Sequence, residues 1–222
     1  MSTTRNPYRK WPSLIGLTGL AGTGKDTVRT MLEDAGYTGF AFADPLRMML
    51  RELLTGSNID DKYMDSREFK EAIIPELGVS YRQMAQTLGT EWGRALQPDF
   101  WLRLATSYLD GERDAGGEAF CVSDVRFENE AQWVRNHGGM LWRIERPGIQ
   151  PVRSHASEEG VSDIQAIRTI VNDGNFGDLY NQVMAALDAE HSNAPPPVSA
   201  LPYRGEIDID AVHRTRDRVA KP

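Results

Sequence analysis

Leu14-Ile-Gly-Leu-Thr-Gly-Leu-Ala-Gly-Thr-Gly-Lys-Asp-Thr27 is the stretch on which the fold of this chain turns. Residues 14 to 18 read as a short apolar strand. Gly19 to Lys25 fits G-x-x-x-x-G-K, and from Asp26 a helical pattern puts Val28, Met31, Leu32 and Ala35 on one face. Strand, glycine loop, helix is the order a phosphate cradle requires. Gly19, Gly22 and Gly24 lack Cβ atoms, so the backbone can curl and turn successive N–H groups toward an anion. The helix N-terminus adds partial positive charge, and Lys25 adds a full one for the β- and γ-phosphates. The expectation is nucleotide binding rather than a plain strand–turn–helix.

The surrounding composition narrows the class. A length of 222 residues suits one α/β domain with room for a tail, and a hydrophobic content of 40 % leaves part of the chain outside the core. The 25 basic and 32 acidic side chains give a net charge of −7. That balance speaks against a stable nucleic-acid partner, which needs a basic face, but not against a small anion met by a local Arg/Lys cluster. The single cysteine, Cys121, excludes an internal disulfide and, in an apolar run, reads as an inert buried thiol. With no apolar run of membrane-spanning length and no signal-like N-terminus, the expected location is the cytoplasm.

After the first helix, Gly36 is a stop signal and residues 39 to 43 read as a second strand. Asp44-Pro45 then predicts a helix with Asp44 as N-cap, an apolar stripe of Leu46, Met49, Leu50, Leu53 and Leu54, and Gly56 as its end. Arg47 and Arg51 share another face, either solvated or turned to an anion in the cleft. Residues 57 to 79 are charged and without sustained periodicity, as in an insertion or flap. Ser80 with Gln83 is a capping-box pattern opening a helix with Tyr81, Met84, Ala85 and Leu88 inside and Arg82 and Gln86 outside. Gly89-Thr90 is read as a break, Glu91-Trp-Gly-Arg94 follows, and Pro98-Asp-Phe-Trp101 opens another helix. The two tryptophans and two arginines are core aromatics with surface charges, or a pocket that stacks a base and grips a phosphate.

Phe120 to Asp124 reads as a buried strand ending in an acid. In a parallel sheet ligands lie beyond the carboxyl ends of strands, which would bring Asp124 near the glycine loop as a Mg²⁺ ligand, directly or through water. Arg126 follows, then a helix with Phe127, Ala131 and Val134, a Gly138-Gly139 turn, and a fourth strand at 140 to 145. Residues 146 to 160 form a Pro/Gly-punctuated loop, a lid or an ordinary surface connection. Residues 166 to 171 are a fifth strand candidate, Asn172-Asp-Gly174 a turn, and 177 to 190 a closing helix. From Ser192 the pattern dissolves into a Pro-rich tail, a loose end or a partner-binding arm.

Three motifs taken together resemble a known family: Gly22-x-Gly-Lys-Asp-Thr27; Gln86-x-x-Gly-Thr-Glu-x-x-Arg94 with Pro98-Asp-x-Trp101; and Asp124-Val-Arg-Phe-Glu-Asn-Glu130 with Gly138-Gly139. Over roughly residues 13 to 190 the chain resembles the bacteriophage deoxynucleoside monophosphate kinases, P-loop enzymes of the adenylate-kinase-like group. The resemblance implies an α/β three-layer P-loop kinase fold: a five-stranded parallel sheet, helices on both faces, a lid loop and a C-terminal tail. In domain terms it implies an extension at 1–12, a kinase domain at 13–191 with a substrate-binding insertion at 57–110 and a lid at 146–162, and a flexible tail at 192–222.

The same resemblance implies that Gly22, Thr23, Gly24, Lys25, Asp26 and Thr27 hold the phosphates of ATP. Arg47, Arg82, Gly89, Thr90, Trp92, Arg94, Trp101 and Glu130 would form the monophosphate pocket, with Arg82 on the phosphate and Trp101 against the nucleoside. Lys25, Asp124 and Arg126 would be catalytic, and Arg146, Arg153 and His155 would belong to the lid. Asp26 stands where a hydroxyl residue usually follows the lysine, so Thr27, with Asp124, is the expected contact for Mg²⁺. Ala21 stands where some members carry a basic residue, a difference that bears on base preference. The implied reaction converts ATP and a deoxynucleoside monophosphate to ADP and the diphosphate. Its partners are small-molecule nucleotides, with no membrane and with a homodimer left open. The rival readings are a P-loop kinase for dephospho-coenzyme A or a modified base in DNA, and a P-loop NTPase switch driven by a protein.

Overall fold

The computed structural model of the chain describes residues 11–66, 68–150, 161 and 163–193. In chain order these form β1 (Leu14–Thr18), α1 (Lys25–Asp34), β2 (Thr38–Phe40), α2 (Asp44–Gly56) and α3 (Lys62–Asp65). A hairpin of β3 (Ile73–Ile74) and β4 (Val79–Ser80) leads into α4 (Tyr81–Gln86), α5 (Arg94–Leu96) and α6 (Phe100–Asp114). Then come β5 (Phe120–Val125), α7 (Glu128–Asn136), β6 (Met140–Glu145), β7 (Arg168–Val171) and α8 (Phe176–Asn193). Five strands form one sheet in the order β2-β5-β1-β6-β7, and every neighbouring pair is parallel.

The apolar strands are continuous runs because both faces of this sheet are covered. On one face Leu14, Phe120 and Val122 pack with Leu46, Leu50 and Leu54 of α2, Leu109 of α6 and Val134 of α7. On the other, Ile15, Leu17, Cys121, Trp142 and Ile144 pack with Val28 and Leu32 of α1 and Val183 and Leu187 of α8. Alternation along β1 thus sends Leu14 to one layer and both Ile15 and Leu17 to the other. At Gly16 a Cβ would come within 2.9 Å of both Leu141 and Val134, so α7 lies directly on the strand there. Cys121 is fully buried, and burial pushes its thiol up to about 12, which makes it inert.

Three local expectations change. The second strand is only Thr38–Phe40, and the N-cap of α2 is Ala43, not Asp44. Asp44 instead turns back: its Oδ2 accepts from the Ala41 N–H at 2.7 Å, which ends the strand early. Met49 and Leu53 are not in the α2 core stripe; they are 46 % and 55 % exposed, and the buried set runs strictly i, i+4 through Leu46, Leu50 and Leu54. Gly89-Thr90 does not break the α4 helix either: residues Thr87–Gly93 continue it as a wide π-helical turn. Ser80 is the N-cap of α4 as expected, its hydroxyl accepting from the Gln83 N–H at 3.2 Å.

Candidate active site

The loops following the carboxyl ends of all five parallel strands meet at one edge of the sheet. That is the consequence of every neighbouring pair being parallel, and the strand order reverses around β1, where such sheets open a crevice. The glycine loop leaves β1 there. Gly19, Gly22 and Gly24 have φ of 140°, 84° and 105°, values open to glycine and costly for other residues. At Gly19 a Cβ would also lie 2.2 Å from the Ile144 carbonyl oxygen of β6. Lys25 folds back over the loop, its Nζ donating to the carbonyls of Gly19 and Leu20 at 2.7 Å each. The Thr23 hydroxyl also donates to Leu20, at 3.0 Å. Loop carbonyls are thereby gathered on the lysine side, which leaves the opposite side to N–H groups. In the first turn of α1, Asp26 is exposed and Thr27 half-buried.

Beside it, at the end of β5, Asp124 is buried with both carboxylate oxygens engaged. Oδ1 accepts from the Phe42 N–H at 2.8 Å and Oδ2 from the Ala43 N–H at 3.1 Å. The carboxylate therefore ties β5 to the turn that launches α2, on whose first turn Arg47 stands. Arg47 is half-exposed and paired with Asp44 at 3.0 Å. Arg126 follows two residues after Asp124, and its backbone N–H donates to Glu130 Oε2 at 2.7 Å.

Glu130, on the first turn of α7, is only 4 % exposed. Oε2 also accepts from the Phe127 N–H at 3.1 Å, while Oε1 pairs with Arg94 Nη2 at 2.6 Å. The Arg94 guanidinium in turn lies 3.9 Å over the Phe127 ring. Glu130 thus locks the end of β5 to the π-helical turn. Burial first, and then the charge of Asp124, push its carboxyl up to about 7, against the pull of Arg94 and the two N–H groups. Between a pH of about 4.5 and about 7 the folded chain keeps a proton that the unfolded chain has released. Stability then falls as pH rises through that window, by the linkage of proton binding to folding. Glu130→Gln should remove this component, seen as a flatter plot of urea midpoint against pH; parallel plots for the two proteins would refute it.

Residues 82 to 101 are built around the π-helical turn, a device that in helices often marks functional positions. Trp101 is only 5 % exposed and its Nε1 donates to the Gly89 carbonyl at 2.7 Å. It holds the turn from inside, with little ring area left for a base. Trp92 is 41 % exposed, with Phe100 set edge-on at 5.5 Å behind it. Gly93 is the tight spot: a Cβ would sit 2.6 Å from three atoms of the Trp101 indole. Gly93→Ala should cost about 1–3 kcal/mol through overpacking. An unchanged melting temperature would contradict this packing. Gly89 and Thr90 are half-buried within the turn, and Arg82 is ion-paired with Glu71 of the charged segment before the hairpin.

Arg146 is exposed at the start of the loop after β6. Arg153 and His155 lie outside the described residues. Two side chains escaped the sequence reading. Arg143, inside β6, reaches the carbonyls of Val161 and Ile164 and so ties the far end of that loop to the sheet. Asn172, read only as part of a turn, donates from Nδ2 to the Thr23 carbonyl at 2.9 Å. Their one visible signal was position, a polar residue within or directly after a predicted strand.

A family model described as deoxynucleotide monophosphate kinase matches residues 57–183, more than half of the chain. This chain belongs to the deoxynucleotide monophosphate kinase family. The match includes the π-helical turn, Asp124, Arg126 and Glu130. A putative deoxynucleotide monophosphate kinase of Acanthamoeba polyphaga mimivirus is 32 % identical over 187 residues, covering 79 % of this chain and 96 % of its own. The deoxynucleotide monophosphate kinase of Enterobacteria phage T4 is 28 % identical over 110 residues, 49 % of this chain and 45 % of that one. Among solved structures, TT1252 from Thermus thermophilus is 20 % identical with a TM-score of 0.47, over 82 % of this chain and 98 % of that one. A dephospho-CoA kinase from Campylobacter jejuni is 16 % identical with a TM-score of 0.43, over 80 % and 96 %. These structural likenesses are loose, and the family rests on the sequence relatives. The kinase is accordingly a phosphotransferase on a three-layer α/β P-loop fold, and none of its described helices is long and apolar enough to cross a membrane.

Proposed function

We propose that this kinase transfers the γ-phosphoryl group of ATP to the phosphate of deoxynucleoside 5′-monophosphates, forming the diphosphates from which DNA precursors are made. The observation that carries the reading beyond family membership is an adjacency. The glycine loop and the Asp124–Arg126 strand end leave neighbouring strands, with Thr18 of β1 in register with Val125 of β5. The Arg94–Glu130 pair hangs the acceptor segment on that same strand end.

The acceptor phosphate is ionised at neutral pH, so its oxygen attacks the γ-phosphorus in line without a general base. Catalysis is then mostly positioning and charge neutralisation. Loop N–H groups and the α1 N-terminus bind the donor phosphates, and Lys25 exchanges its two carbonyl partners for phosphate oxygens. Arg126 faces the transferred group, with Arg146, Arg153 and His155 closing over it as a lid that keeps water out. Arg82 and Arg47 grip the acceptor phosphate, Arg82 by exchanging Glu71 for it. Of the two tryptophans, Trp92 offers the free face for the base, and Trp101 holds the turn that presents it. Gly89 and Thr90 line that turn.

The donor set at the loop suits Mg²⁺, a hard cation that takes oxygens and retains waters. The Thr27 hydroxyl and the lone pairs of Asp124 not used by Phe42 and Ala43 would hold it, Asp124 through water. Mg²⁺ held there would supply charge neutralisation at the donor phosphates. Reaction on free nucleotides places the enzyme in the cytoplasm, the host's if the chain is viral like its relatives, and a homodimer is compatible with it. The test is incubation with ATP, Mg²⁺ and each deoxynucleoside monophosphate in turn, with the diphosphate resolved by anion-exchange chromatography. Diphosphate from at least one of them is expected, and turnover of none would end the proposal.

A further inference from the structure

We propose that Asn172 is a positioning residue of the donor site, one whose side-chain amide sets the direction of the Thr23–Gly24 peptide in the glycine loop. The inference rests on the reading that this loop holds the phosphates of ATP.

The amide is anchored before it reaches the loop. Asn172 is the first residue after β7, and its backbone N–H donates to the Glu145 carbonyl at the end of β6, at 2.7 Å. The preceding residue, Val171, is clamped on both sides by Gln182 of α8. Its N–H donates to Gln182 Oε1 at 3.2 Å, and its carbonyl accepts from Gln182 Nε2 at 2.9 Å. From this base the side chain crosses to a loop 149 positions earlier and donates to the Thr23 carbonyl at 2.9 Å. The approach is close: a Cβ on Gly24 would lie 2.5 Å from Asn172 Nδ2. The glycine required there by its φ of 105° is thus also required by the asparagine.

A trans peptide is planar, so its C=O and N–H point in opposite directions. Holding the Thr23 carbonyl on the Asn172 side therefore aims the Gly24 N–H away from it, to the concave side of the loop. Lys25 performs a similar service for the carbonyls of Gly19 and Leu20, but with a charged group that the phosphates themselves attract. Once Lys25 turns to phosphate, its hold on those carbonyls is gone. The neutral amide of Asn172 has no such competing demand, so its hold persists with nucleotide bound. Asn172 also joins the ends of β6 and β7 to the loop, so both strands share an anchor with it.

Asn172→Ala removes the donor, and Asn172→Asp sets a carboxylate of the same shape against a carbonyl oxygen. Loss of one such hydrogen bond corresponds to ~10-fold in KM for ATP, and the repulsive aspartate to ~100-fold. KM for the deoxynucleoside monophosphate should stay within about twofold, since the hydrogen bonds of Asn172 among the described residues go to Glu145 and Thr23. Circular dichroism and melting temperature establish that the variants fold. Should either fail to fold, Gln182→Ala, which only loosens the Val171 clamp, should give the same split in smaller degree. An unchanged KM for ATP in folded Asn172→Ala, or an equal rise in both KM values, overturns the assignment. Lys25→Ala measured alongside separates the two ideas. If it is crippled while Asn172→Ala is not, only the Asn172 proposal fails. If Lys25→Ala is as active as the unaltered protein, the donor-site reading fails with it.

Discussion

Lys25→Ala should lower kcat/KM by about 10²–10³, the range seen when one donor to developing charge is removed. The ammonium is buried within the loop and already meets two oxygens at 2.7 Å each, the distance at which charge-assisted hydrogen bonds form. Its replacement by phosphate oxygens needs only a turn of the side-chain end. Most of the loss should fall on kcat, because charge moves onto the oxygen bridging the β- and γ-phosphorus as the bond breaks. Folding should be affected little. The Leu20 carbonyl keeps the Thr23 hydroxyl at 3.0 Å, and the loop glycines hold their φ values without the lysine. Steady-state kinetics with ATP and a deoxynucleoside monophosphate, beside a melting curve, provide the check. Full activity in a folded Lys25→Ala protein would remove the lysine from the mechanism.

Substitution of Asp124 should have the second large effect, and it divides into two parts. Asp124→Ala strips the acceptors from the Phe42 and Ala43 N–H groups, which are bonded at 2.8 and 3.1 Å across the strand end. Two buried donors left bare should cost about 2–5 kcal/mol in total. The launch of α2 should loosen with them, and Arg47 with α2. Asp124→Asn restores one acceptor oxygen without the negative charge, so stability should recover in part. If the carboxylate also serves the Mg²⁺ site, activity should stay depressed by about 10² or more, as for a lost electrostatic contact in the transition state. Chemical denaturation and kinetics on both variants separate the parts. An asparagine variant near full activity would leave Asp124 a scaffold residue alone.

These two residues mark how far local reading reaches. Lys25 and the three loop glycines were legible because everything that defines them is consecutive: strand, curl, helix N-terminus. The five strands were legible for the same reason, as apolar runs punctuated by glycine, and the capping oxygen of Ser80 lies three residues from the N–H it meets. Asp124 was legible as an acid at a strand end. That its two oxygens hold Phe42 and Ala43, more than eighty residues away, was not.

The acceptor segment was misread in a different way. Tryptophans, glycines and arginines at residues 89 to 101 correctly pointed to something beyond an ordinary helix. Composition has no means of distinguishing Trp101, sealed at 5 % exposure, from Trp92, open at 41 %. Nor does a Gly-Thr pair tell a helix break from a π-helical turn, since both relax the same backbone. Met49 and Leu53 look like core residues by type, and only the position of α2 on the sheet leaves them outside.

By itself the sequence determined the layered α/β class, the glycine loop, its lysine and the acid ending a buried strand, because short-range periodicity and turn chemistry carry those. Tertiary structure decided which strands are neighbours and which side chains are sealed. It also decided which distant groups are tied together: Asn172 to Thr23, Glu130 to Arg94 and Arg126, Arg143 to the far end of the loop after β6. Those choices are set by parallel crossovers between strands far apart in the chain. A hydrogen bond spanning 149 residues leaves no trace in the pattern around either partner.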